Sequence, residues 1–146
     1  GWDMDVKIKL LTDTARVPTY ATDGSAAFDI YSNMHIWVEH GQMTSVGTGI
    51  AIEVPDGHVL KIYSRSGHGF KDGVRLVNCT GIIDSDYRGE IRIGLVCDRE
   101  GHDMDIAPGD RIAQGMIVPV ERVEFEVTDE LTKTDRGNGG LGSTGQ

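Results

Sequence analysis

Apolar and polar residues alternate in short runs along this chain, and each run ends at a turn signal. Val6-Lys7-Ile8-Lys9-Leu10 is the simplest case. The same period of two recurs over residues 34–38, 45–54, 59–63, 74–79, 90–97, 111–120 and 123–127. Between the runs lie Glu39-His40-Gly41-Gln42, Pro55-Asp56-Gly57, Ser85-Asp86-Tyr87-Arg88-Gly89 and Pro108-Gly109-Asp110, rich in the residues that turns require. A period of two puts alternate side chains on opposite faces of a strand, so each run predicts a β-strand with one buried face. No long stretch carries the 3.6-residue period of a helix; one short helix is expected to start near Ser66 and stop at Lys71-Asp72-Gly73. Short strands at this spacing predict an all-β sandwich or barrel.

At 146 residues the chain is sized for one domain with a core of its own. Lys and Arg number 14 against 23 Asp and Glu, a net charge of −9. That balance argues against nucleic acid or an anionic membrane as partner, since both need a basic face. It leaves room for one small anion held by a local arginine cluster. Cys79 and Cys97 have no CxxC spacing, which favours two buried free thiols in a reducing compartment. With no apolar run of transmembrane length and no signal-peptide pattern, a cytoplasmic location is expected, or the host cytoplasm for a phage-encoded chain. The five histidines show no metal-ligand spacing.

Five clusters stand out from ordinary β-protein sequence. The segment Arg136-Gly137-Asn138-Gly139-Gly140-Leu141-Gly142-Ser143-Thr144-Gly145 has one large apolar residue and cannot hold itself together. Taken alone it reads as a flexible tail. Yet glycine-rich backbone can aim several N–H groups at one anion, with hydroxyls and a guanidinium beside them. Ser64-Arg65-Ser66-Gly67 could present the same groups, or be a plain surface turn. Gly81-Ile82-Ile83-Asp84-Ser85-Asp86-Tyr87-Arg88-Gly89-Glu90 concentrates carboxylates and a tyrosine where a solvated hairpin is the simpler reading. Asp29 within Ala26-Ala27-Phe28-Asp29-Ile30, and Gln114 within Arg111-Ile112-Ala113-Gln114, each interrupt an apolar strand.

In their order these clusters resemble the five motifs of the homotrimeric deoxyuridine triphosphatase (dUTPase) family, from about Gly24 to Gly145. Two departures stand out: Ser64 occupies a position where the family usually has Pro, and Leu141 one where it usually has an aromatic residue. The resemblance implies a β jelly roll over residues 1–130. It also implies an arm, residues 131–146, that closes over a neighbouring subunit's active site. The implied activity is Mg²⁺-assisted hydrolysis of dUTP to dUMP and pyrophosphate, by water attack at the α-phosphorus. That reaction keeps uracil out of DNA and supplies dUMP for thymidylate synthesis.

By the same resemblance Asp84 orients and deprotonates the water, a role open to an ionised carboxylate at neutral pH. Tyr87 packs on the deoxyribose and leaves no room for a 2′-hydroxyl. Asn78 reads uracil, whose donor and acceptor pattern cytosine reverses. Closeness of the loop around Ile82, Ile83 and Arg92 refuses the thymine methyl. Arg65, Ser66, Gly67 and Gln114 match phosphate contacts. From the arm, Arg136, Ser143 and Thr144 match γ-phosphate contacts, while Leu141 and Gly142 cover the substrate. Asp29 matches a carboxylate that reaches Mg²⁺ through water. Two alternatives share the scaffold: a dCTP deaminase, and a nucleotide-sensing or partner-binding protein without catalysis. No deaminase motif replaces the Asp84 loop, and no long insertion offers a partner surface.

Overall fold

A computed structural model describes residues 4–65, 73–78 and 80–140. Among these the chain forms strands and no helix. The strands are β1 (Lys7–Leu10), β2 (Thr19–Tyr20), β3 (Phe28–Tyr31), β4 (Ile36–Val38), β5 (Met43–Gly47) and β6 (Ile50–Glu53). They continue with β7 (His58–Tyr63), β8 (Val74–Leu76), β9 (Thr80–Ile83), β10 (Arg92–Cys97), β11 (Met104–Ile106) and β12 (Arg111–Pro119).

The pairing is nested. β3 pairs with β12, β4 with β11 and β5 with β10, all antiparallel. The chain therefore wraps as one long folded-over ribbon, which is the jelly-roll arrangement. The largest sheet runs β2-β3-β12-β7-β9, and a second runs β5-β10-β8. Their inward faces meet. Ile30 from β3, Leu60 and Ile62 from β7, Ile112 from β12 and Ile93 and Leu95 from β10 are all buried in one cluster. Alternation on β7 and β10 puts the intervening residues on the outer faces, as the period of two requires.

Three readings of the sequence need correction. The single strand expected over 45–54 is two strands, because the backbone bends at Gly49 with φ of +70°. A Cβ there would lie 2.7 Å from Nδ2 of Asn33, so glycine is required twice over. Residues 123–127 alternate as a strand should, but no described strand pairs with them: Val123, Phe125 and Val127 are exposed, Phe125 at 90%. Finally, β2, β9 and β11 lie outside the expected strands, since two to four residues carry too little alternation to register, and residues 81–83 of β9 had the look of a turn. Cys97 is buried, as expected, and its thiol donates to the His102 carbonyl at 2.9 Å. Cys79 and the helix expected from Ser66 lie outside the described residues.

The tightest point of the core is Gly115 on β12. A Cβ there would stand 3.0 Å from Phe28, 3.1 Å from Leu60 and 3.3 Å from Ile30, all side-chain carbons of the cluster. Gly115→Ala should therefore destabilise through overpacking, by about 1–3 kcal/mol. In a chain of this size that is a fall of roughly 2–10 °C in Tm, measurable by calorimetry. An unchanged Tm would mean that the side chains around Gly115 yield to an added methyl without cost.

Candidate active site

The large sheet sets one row of side chains across four strands. Asp29 is in register with Gln114, Gln114 with Tyr63, and Tyr63 with Thr80. Directly paired residues share a face. Ile30 and Ile62, one position along on β3 and β7, face the core. The row is therefore the outer, polar side of the sheet. This explains both interruptions seen in the sequence: Asp29 and Gln114 are strand residues facing away from the core.

At the head of this row three charged groups converge. The Arg111 guanidinium lies 3.8 Å from the Asp29 carboxylate, which is only 15% exposed. Arg65, just past β7, donates from Nη1 to the Arg111 carbonyl at 3.2 Å. Gln114 donates from Nε2 to the Ser64 carbonyl at 3.1 Å, leaving its second amide hydrogen and its oxygen for a ligand. Asp29, Arg65 and Arg111, with Arg16, Tyr31 and Asp110, line a cavity of about 560 Å³. Arg16 stacks over the Tyr31 ring at 4.0 Å and donates to the Gly109 carbonyl at 3.1 Å. In a chain of net charge −9, this is a local cationic site of the kind an anion needs.

The second constellation is the loop between β9 and β10, which is no hairpin as the sequence suggested, because the two strands belong to different sheets. β9 is an edge strand, so among the described residues one side of its backbone has no strand partner. Ile82 is 64% exposed on it. The Asn78 amide nitrogen lies 3.7 Å from where a Cβ on Gly81 would be, so the amide stands beside the β9 backbone. Asp84 is exposed and follows β9 directly; its carbonyl accepts the Tyr87 N–H at 3.2 Å and closes a turn. The Tyr87 hydroxyl donates to the Glu90 carbonyl at 2.9 Å. Its ring covers Gly89, where a Cβ would fall 2.5 Å from the hydroxyl oxygen. Arg88 ties the turn down by donating to the carbonyls of Ser85 and Tyr87, and pairs with Glu53 at 3.5 Å. Arg92 is committed elsewhere: it bonds the Glu90 carboxylate at 2.9 Å and the Ser45 hydroxyl at 3.0 Å.

These two constellations lie apart within one chain. Thr80, in the row of Asp29, is three strands away from it, about 14 Å at the usual strand spacing. Asp84 lies four residues further along, about 13 Å. Arg136 is on the exposed stretch after β12 and bonds its own turn, Nε donating to the Gly139 carbonyl at 2.6 Å. Ser66, Gly67, Leu141, Gly142, Ser143 and Thr144 lie outside the described residues.

Among the described residues no three His, Cys, Asp or Glu side chains gather as a metal cage. Asp29 is a single, mostly sheltered carboxylate on a cationic cavity. Such a donor fits Mg²⁺ that takes its other ligands from phosphate oxygens and water, the usual habit of that ion. Sequence reasoning gave no role to Arg111, Arg16 or Glu90. Arg111 was the one within reach, because an Arg opening an apolar strand directly after a turn shares its end of the sheet with Asp29.

Comparison with known proteins agrees with this geometry. The dUTPase family model matches residues 13–145. A deoxyuridine 5′-triphosphate nucleotidohydrolase of Nautilia profundicola is 41% identical over 143 residues, covering 98% of this chain and 100% of that protein. One of Anaplasma marginale is 46% identical over 131 residues, 88% of each chain. Among solved structures, the Staphylococcus bacteriophage 80alpha dUTPase with dUPNHPP superposes with a TM-score of 0.90 at 28% identity, covering 97% of this chain and 99% of that one. A dUTPase from phage phi11 of S. aureus, described as coordinating a structural Mg(II) ion, gives 0.80 at 25% identity, covering 87% and 98%. Full-length relatedness at this identity leaves one conclusion, that the chain belongs to the dUTPase family.

Proposed function

We propose that this chain hydrolyses dUTP to dUMP and pyrophosphate in a composite site shared between subunits. One observation carries the reading: two complementary half-sites stand on one rigid sheet, too far apart to act together within a chain. The first half-site holds the triphosphate through Arg65, Gln114, Ser66 and Gly67, with Arg111 steadying Asp29. Mg²⁺, when bound, would draw charge from the phosphate oxygens, with Asp29 reaching it through water. The second half-site holds the nucleoside. The unpaired backbone of β9 and the Asn78 amide meet uracil, and Ile82 and Ile83 crowd the place of a thymine methyl. The Tyr87 ring lies along C2′ of the sugar.

In the reaction a water molecule attacks the α-phosphorus. Asp84 accepts its proton as the new P–O bond forms. The bond from the α-phosphorus to the bridging oxygen breaks, and pyrophosphate leaves with the electron pair. A positioned base of this kind typically contributes about 10²–10⁴ in rate, with the rest from positioning and charge neutralisation. Arg92 serves through Glu90 and Ser45, holding the β9–β10 loop to β5 rather than touching the base.

A threefold assembly supplies what one chain lacks, and the proposed division follows: a body over residues 1–130 and an arm over 131–146. Two features favour it. The stretch bearing Val123, Phe125 and Val127 is bare in the single chain. A groove lined by Val6, Ile8, Val17, Tyr20 and Ile117, with polar Thr22, Asp23 and Ser25 beside them, offers a place for such a stretch. On β1, exposed Lys7 and Lys9 would face Glu124 and Glu126 of a second copy. The arm would then bring Arg136, Leu141, Gly142, Ser143 and Thr144 over a neighbour's substrate.

Asp84→Asn keeps the shape and removes the base. It should bind a non-hydrolysable dUTP analogue normally while kcat falls by about 10² or more. Near-normal turnover would sink Asp84 as the base. Tyr87→Ala should raise kcat/KM for UTP relative to dUTP, and an unchanged ratio would reduce Tyr87 to packing. A chain ending at Asp135 should remain trimeric by light scattering yet lose most of its kcat/KM for dUTP. Full activity from that truncation would make the arm a tail.

A further inference from the structure

Ser64 is the point where the parts of the proposed site meet. It follows β7 directly, beside Tyr63, which sits in register between Gln114 and Thr80. Its carbonyl accepts the Gln114 amide at 3.1 Å. Its hydroxyl oxygen accepts the backbone N–H of Leu76 on β8 at 2.9 Å. The second bond joins two sheets, since β7 belongs to the five-stranded sheet and β8 to the three-stranded one.

The Leu76 N–H has few alternatives. β8 is the edge of its sheet, and Val77 donates to Gly94 on the neighbouring side. In an antiparallel ladder the N–H one residue earlier faces the opposite edge. Leu76 is 2% exposed, so water does not reach it readily, and a buried N–H without an acceptor is costly. The Ser64 hydroxyl fills that need. A proline at this position offers no side-chain acceptor.

We propose that Ser64 is a positioning residue that couples base recognition to phosphate recognition. Through its carbonyl it holds Gln114 on the phosphate side. Through its hydroxyl it holds the end of β8, and Asn78 lies two residues further on, at the proposed uracil contact. The inference rests on the enzyme reading above for its catalytic consequence, but the clamp itself is a structural matter that can be tested alone.

The experiment compares the parent with Ser64→Ala, Ser64→Thr and Ser64→Pro. Steady-state hydrolysis of dUTP, inhibition by dCTP and amide exchange at Leu76 are measured for each. Ser64→Ala keeps the carbonyl and so keeps Gln114 in place: kcat should stay within about twofold. KM for dUTP should rise about tenfold, the order expected of one buried hydrogen bond, and discrimination against dCTP should fall with it. Leu76 exchange should quicken by about tenfold or more. Ser64→Thr restores the hydroxyl and should return all three readings toward the parent, whereas Ser64→Pro should resemble Ser64→Ala. An unchanged KM in Ser64→Ala, or no rescue by Ser64→Thr, overturns the coupling. Should Ser64→Ala not fold, parent-like kinetics and exchange in Ser64→Pro would overturn it equally. A parent that leaves dUTP intact sinks the enzyme reading instead, and Leu76 exchange then decides the clamp by itself.

Discussion

A β-sheet is a ruler. Strand spacing and rise per residue are fixed by backbone hydrogen bonding, and side chains cannot shorten the distances it sets. In this chain Asp29 and Gln114 stand in one row, and Asp84 leaves the sheet at the far end of another strand. No rotamer closes a gap that spans three strands and four residues. In the proposed function these groups therefore act together between copies of the chain. The same frame aims its groups well, because residues on strands hold their places better than residues on loops.

Charge is handled with similar economy. An overall −9 would repel a triphosphate from most of the surface. Positive groups are instead concentrated at one end of the sheet, where Arg16, Arg65 and Arg111 surround a single sheltered carboxylate. Arg16 and Arg65 each donate to a backbone carbonyl at the β12 entrance, so their positions are set before any ligand arrives. The β9–β10 loop is organised in the same way, by Arg88 bonding its own turn and by Arg92 and Glu90 bonding each other. Preformed contacts of this sort lower the ordering cost that binding would otherwise incur.

The all-β class and most strands were legible in the sequence because alternation is a direct image of a sheet with one buried face. The break at Gly49 was not, since the apolar pattern on either side continues unbroken and only the contact with Asn33 demands the bend. β2 and β11 were invisible because pairing, not composition, defines strands so short. Asp29 and Gln114 were legible as anomalies, polar residues where an apolar one was due. Ser64 was legible as a departure, but the reason for it was not: its partner Leu76 is twelve residues away, and sequence does not record which buried N–H lacks an acceptor.

Gly89 has a meaning beyond its own turn. Its lack of a side chain is what lets the Tyr87 ring lie down and reach the Glu90 carbonyl. Any other residue at position 89 would tilt that ring without touching a nucleotide. With Tyr87 in its proposed place against the sugar, inheritance cannot treat the two positions separately: drift at a glycine with no chemistry of its own would be felt as a change of diet, in which sugars the chain admits.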